Sequence, residues 1–257
     1  MDEAEKAEDG SNPMSYDPVQ TYIWVCLIFF GGGFIQGVSG FGSVLLSLPL
    51  LAIFLDIKTV IPLTALGGVS ASYVLLYQLR QHLDWKKILP IFIGAVLGIP
   101  VGVYFLKRLD TGTIQLIIGA ILTLYALYGL FFRSSKKGID TRWAYVYGFL
   151  GGCLVAALSA GGPPVIIYAS LQEWPKDQIK ATIQGFFVTA GTAVVVSFAM
   201  AGVVTETVLG LYGLSFPLLM LGTFLGSRLY GFLKEAHYKT IMFILLGFLG
   251  IFSIYRS

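Results

Sequence analysis

Phe34-Ile35-Gln36-Gly37-Val38-Ser39-Gly40-Phe41-Gly42-Ser43 lies inside a run, Thr21 to Leu55, that contains no charged side chain. Hydrocarbon cannot hydrogen-bond a backbone, so a helix crossing a bilayer is interrupted only where the freed groups serve or find something. Glycines 37, 40 and 42 with Ser39 interrupt this one. About 120 residues on, Leu154-Val155-Ala156-Ala157-Leu158-Ser159-Ala160-Gly161-Gly162-Pro163-Pro164 interrupts a second uncharged run, Trp143 to Gln172. Broken apolar segments at corresponding places in two halves mark the binding site of a transporter.

The composition agrees with a membrane-embedded chain. Of 257 residues 56% are hydrophobic and 12% charged, too apolar for an ordinary soluble domain. Beyond the two broken segments, uncharged runs occur at 59–79, 88–106, 112–132, 181–205, 207–227 and 240–255. Each is near the length needed to span roughly 30 Å of hydrocarbon. The expected fold is all-α and polytopic, with two repeats. Each repeat holds one broken or hairpin segment followed by three transmembrane helices. The expected divisions are an acidic, disordered tail (1–20), a first repeat (21–132), a basic cytoplasmic linker (133–142) and a second repeat (143–257). The arms of the first break, 21–38 and 42–55, each read as short for a full crossing, either as paired short helices or as a re-entrant hairpin.

The duplication extends past the breaks. Gly94-Ala95-Val96-Leu97-Gly98 aligns with Gly222-Thr223-Phe224-Leu225-Gly226, Phe105-Leu106-Lys107 with Phe232-Leu233-Lys234, and Ile117-Ile118-Gly119 with Leu245-Leu246-Gly247. The small-xxx-small spacing of glycines 94, 98 and 102, and of 222 and 226, reads as close helix packing.

Lys and Arg collect in cytoplasmic loops. With the amino terminus outside and each broken segment returning to the side it entered, the inner loops hold Arg80, Lys86, Lys87, the Arg133–Arg142 cluster, Lys176, Lys180, Lys234 and Lys239. The outer ones hold only Lys6, Lys58, Lys107, Arg108 and Arg256. Three further crossings per half then make the two repeats inverted.

The breaks also define the expected site. A helix restarting after each offers free N–H groups and a positive dipole end, which attract an anion without a charged side chain. The candidate substrate-binding residues are Gln36, Ser39, Gly40, Phe41, Gly42, Ser159, Ala160, Gly161, Gly162, Pro163, Gln184 and Arg228. The serines would add hydroxyl donors, the glycines close backbone approach, and Gln36 and Gln184 amides inside apolar runs. Arg228 is the one charge within an otherwise apolar stretch, able either to clamp an oxyanion or to snorkel to the interface. No carboxylate lies deep in an apolar run, and His82 and His237 lack metal-ligand spacing. No nucleophile with a base stands out, no metal or cofactor is expected, and a net charge of +3 gives no reason to expect nucleic acid.

The stretch Gly31-Gly32-Gly33-Phe34-Ile35-Gln36-Gly37-Val38-Ser39-Gly40-Phe41-Gly42 with Ser47-Leu48-Pro49, and Gly151-Gly152 through Ser159-Ala160-Gly161-Gly162-Pro163, resemble the sulfite exporter TauE/SafE family, also called the 4-toluene sulfonate uptake permease family. The resemblance runs from about residue 20 to the end. It implies a multi-pass cell-membrane transporter of small sulfur-containing anions, such as sulfite or organosulfonates. A secondary transporter working by alternating access is the expected mechanism; a proton or sodium could serve as coupling ion, and the sequence does not choose between them. A passive anion channel with the breaks as its filter is the alternative; an intramembrane enzyme or a scaffold fits less well.

Overall fold

The computed structural model describes residues 18–131, 138–230, 244 and 247–255. The described residues form helices and connecting turns, with no strand. Helices α1 (Pro18–Ser39) and α2 (Ser43–Leu51) flank the first break, followed by α3 (Ile57–Gln78), α4 (Trp85–Arg108) and α5 (Thr111–Phe131). Helices α6 (Trp143–Leu158) and α7 (Gly162–Leu171) flank the second, followed by α8 (Lys176–Met200), α9 (Glu206–Leu229) and a helical segment over 247–255. Most of the acidic amino-terminal stretch, linker residues 133–137 and the Phe232-Leu233-Lys234 match lie outside the described residues.

Six helices, α1, α3, α4, α5, α8 and α9, are long and apolar enough to cross a membrane. They also expose large apolar side chains, such as Trp24, Leu97, Leu124 and Met200, as an outer surface meeting acyl chains would. The chain is a multi-pass membrane protein. Polar caps start several helices where they leave this environment. Asp56 accepts from the Lys58 N–H, Asp84 from that of Lys86, and Thr205 from that of Val208. Asp110 accepts from both the amide and the hydroxyl of Thr113, which hold its carboxyl below the usual range.

The first arm is longer than its sequence indicated. At 22 residues α1 is about 33 Å long, a full crossing, because the helix starts three residues earlier, at Pro18, and runs on through Ser39. The second arm, α2, has 9 residues, about 14 Å. It folds back along α1: Ser43 meets Gln36, and Ser47 lies against Gly32 and Ile28. Helix α3 then runs beside α1 in the same direction, with Phe29 against Gly67 and Gln36 against Gly68 and Ser72. The chain therefore returns to the end at which α1 began. The second break reverses in the same way, with Gly151 against Val165 and Gly161 against Val155. Both broken segments are hairpins.

The two halves interlock. Helix α1 packs along α9, and α6 along α4; likewise α3 meets α9 and α8 meets α4, while α3 and α8 pack on each other. Close approach needs glycine at these crossings. A methyl on Gly222 or Gly226 would overlap the carbonyls of Phe30 or Phe34, and one on Gly33 or Gly37 those of Leu219 or Thr223. In the other pair, Gly94, Gly98 and Gly102 face Tyr145, Phe149 and Cys153, while Gly148 and Gly152 face Ile91 and Ala95. The obstruction is backbone and cannot rotate away. Gly226→Leu is expected to lower the melting temperature of the detergent-solubilised protein by on the order of 5 °C or more. Gly213→Leu, on the same helix with open space at that position, is expected to leave it nearly unchanged.

Candidate functional site

Helix α1 ends because Gly40 and Gly42 take φ of 81° and 104°, where a side chain is strained. Ser39 stitches the bend: its hydroxyl donates to the Ile35 carbonyl at 2.8 Å, touches the Phe41 carbonyl and accepts from the Phe41 N–H at 3.2 Å. Helix α2 then starts at Ser43, with the Leu46 N–H bonding Gly42 at 3.0 Å. The N–H groups of Ser43, Val44 and Leu45 belong to the opening turn, which has no intrahelical acceptor for them. All three residues line one cavity.

The second bend is built differently. Ser159 adopts φ 54°, the only positive φ of a non-glycine residue among those described. Its hydroxyl donates across the molecule to the Ile61 carbonyl of α3 at 2.7 Å. That bond offsets part of the cost of the left-handed conformation. Helix α7 opens Gly162-Pro163-Pro164, and neither proline has an N–H to offer. The second helix end thus has two fewer amide donors than the first. The end of the pair richer in amide donors is the bend at Gly42–Leu45.

Between the bends, walled by the central parts of α3 and α8, is a partly open cavity. Among the described residues, no charged side chain lines it. Its polar wall is a network around Gln36. The Gln36 amide donates to the Ser72 hydroxyl at 2.8 Å and to the Gly68 carbonyl at 3.4 Å, and it accepts from the Ser43 hydroxyl. Its apolar wall includes Phe41, whose ring stands edge-on to Tyr125, and Phe187.

Of the residues expected from the sequence, Gln36, Phe41, Gly42, Ser159, Ala160 and Gly162 line this cavity. Ser39 and Gly40 form the bend beside it, and Gly161 and Pro163 the second bend. Gln184, fully buried on α8, donates to the Gly40 carbonyl. Both expected serine donors have their protons committed to carbonyls, and a hydroxyl has one proton to give. Arg228 is not brought to the cavity. It is exposed on α9, its guanidinium 4.7 Å from the centre of the Phe224 ring.

Three polar residues escaped the sequence reading. Ser43 and Ser72 are buried hydroxyls; Gly68 and Ser72, four apart, repeat the small-residue spacing that could have drawn attention to that face of α3. Lys180 was assigned to a cytoplasmic loop. It lies in the second turn of α8 and is 7% exposed, because the helix already begins after Pro175.

The description of a sulfite exporter, TauE/SafE, matches residues 25–253 and so covers both hairpins and the cavity. The chain belongs to the TauE/SafE family. This is a family of exporters rather than enzymes. A relative from Cupriavidus necator named as a probable sulfite/organosulfonate exporter TauE is 25% identical over 207 residues, covering 77% of this chain and 79% of that one. No solved structure matches the chain. Within the TauE/SafE match, the glycine-rich and proline-marked breaks are the places where two hairpin tips converge on one uncharged cavity.

Proposed function

We propose that this protein carries sulfite or an organosulfonate across the cell membrane by alternating access, with the anion held between the two hairpin tips. The observation that carries the reading is the opening turn of α2 facing an uncharged cavity. Its amides and dipole provide positive potential where no lysine or arginine competes or holds the anion too tightly. The bound anion would be ligated chiefly by the N–H groups of Ser43 and Val44, with Gly162 opposite and Phe41 excluding water. Gln36 orients the Ser43 turn.

Two further observations support alternating access. The lining residues Gly68 and Val69 of α3, and Phe187 and Gly191 of α8, are central in their helices, as a midplane site requires. The helix contacts of one half also recur with the halves exchanged: α1 with α9 and α6 with α4, α2 with α3 and α7 with α8. In our reading these halves are inverted repeats, the amino terminus lies outside, and rocking of one against the other exposes the cavity to each side. The substrate class follows the name of the relative and suits a site that binds charge through amides.

A thermal-shift panel on the purified protein with sulfite, sulfate, thiosulfate, taurine, sulfoacetate and acetate tests the binding. A ligand at 100 times its dissociation constant stabilises the folded state by about 2.7 kcal/mol. Selective stabilisation by sulfite or a sulfonate is the expected result. In proteoliposomes with the membrane potential clamped at zero, internal unlabelled anion should then accelerate entry of labelled anion, which a passive channel does not do under that clamp. Absence of both the shift and the counterflow would overturn the proposal.

A further inference from the structure

Lys180 is the only buried charged side chain among the described residues, and the cavity wall does not include it. Its surroundings are specific. The ammonium donates to the Gly37 carbonyl at 3.2 Å and stands 3.5 Å from the centre of the Tyr230 ring. Its stem packs against Gly40, where an added Cβ would come within 2.7 Å of the lysine Cγ. One turn along α8 on the same face, Gln184 donates to the Gly40 carbonyl, while its buried Oε1 has no partner among the described residues. The neighbouring Thr182 hydroxyl is likewise buried without one. Helix α8, of the second half, thus grips the end of α1 at two carbonyls, those of Gly37 and Gly40.

The position matters electrostatically. Gly37 to Gly40 is the carbonyl end of α1, where the helix dipole is negative and a cation is stabilised. Phe41 to Leu45, immediately beyond, lines the cavity where an anion would sit. Left uncompensated, the carbonyl end of α1 would oppose the anion at the amide end of α2. In a poorly screened interior that opposition is large. The partner helix α3 carries no such group: its one charged residue, Lys58, is exposed in the first turn. The compensation is confined to the bend that also has more amide donors.

We propose that Lys180 is the charge-compensating, positioning residue of the anion site. Its ammonium neutralises the carbonyl end of α1 and holds the Gly37–Gly40 bend so that the amides opening α2 face the cavity. It thereby makes the site selective for anions over neutral solutes of the same shape. This rests on the anion-transport reading above.

The test is calorimetric titration of the full-length detergent-purified protein with sulfite and with methanesulfonate. Lys180→Met is expected to raise the dissociation constant by about tenfold or more, and Lys180→Arg to hold it within about threefold of wild type. Asp177, part-exposed near Lys180 and accepting from the Tyr230 hydroxyl at 3.3 Å, opposes the ammonium's positive potential. Asp177→Asn, titrated at pH 6 so that the ammonium stays protonated, is therefore expected to tighten binding. An unchanged dissociation constant in Lys180→Met, or Lys180→Arg as weak as Lys180→Met, would show a structural prop only and overturn the inference. If Lys180→Met cannot be recovered folded, Asp177→Asn decides: tighter binding supports the inference, and unchanged or weaker binding overturns it. A wild-type protein that binds neither anion overturns the transport reading and this inference with it.

Discussion

Gln36→Leu is expected to reduce anion counterflow by on the order of 10- to 100-fold while leaving protein in the membrane. Leucine keeps roughly the volume of glutamine but removes three hydrogen bonds that join α1, α2 and α3 at the cavity. The Ser72 hydroxyl keeps a bond to the Gly68 carbonyl at 2.8 Å, so α3 is little affected. Ser43 is different. Its hydroxyl is buried with Gln36 as acceptor, and losing that acceptor costs about 1–3 kcal/mol of desolvation without return. Ser43 also begins the turn whose amides face the cavity, so the penalty falls on the group that orients the binding surface. Gln36→Glu is expected to be worse. It preserves an acceptor for Ser43 but places a carboxylate in the wall of an anion site, with like charges in a poorly screened interior. Counterflow and melting temperature measured together separate the two effects. Wild-type counterflow in Gln36→Leu would show that the amide does not set the geometry of the bend.

The breaks were legible because glycine and proline inside an apolar run contradict what a membrane demands of a backbone. The glycine crossings were legible for a related reason, since small residues four apart let helices touch. The return of each broken segment to its starting side was legible in the loop charges; the packing of α2 along α1 was not. It depends on Ser43 meeting Gln36 and on Ser47 fitting against Gly32, contacts made only once the chain turns. The facing of polar groups was harder still. In a soluble helix the apolar stripe identifies the buried side, but here both sides are apolar, one for protein and one for lipid. Arg228 was conspicuous as a lone charge and is exposed, stacked on Phe224. Lys180 looked like an ordinary loop lysine near Lys176 and is buried against the first bend. Ser43 and Ser72 had no signal beyond being small.

Ser159 separates a ligand from a wall more sharply than any other position. Ser159→Leu is expected to abolish counterflow with the protein still folded, whereas Ser159→Ala is expected to retain it within about threefold of wild type. The hydroxyl proton goes to the Ile61 carbonyl, so it is not available to an anion. Alanine forfeits that bond at a cost of about 0.5–1.5 kcal/mol, which appears in the melting temperature and not in transport. Leucine forfeits the same bond and also projects a bulky side chain into a cavity walled there by Val155, Ala160 and Ile166. Both variants retain a non-glycine residue at φ 54°, so the backbone strain is nearly common to them and cancels in the comparison. Ser159→Gly relieves that strain while losing the bond, and its stability should fall near that of wild type. If alanine silenced transport as completely as leucine, the hydroxyl would be a ligand that leaves Ile61 when substrate binds. If leucine transported normally, the path would lie outside this cavity.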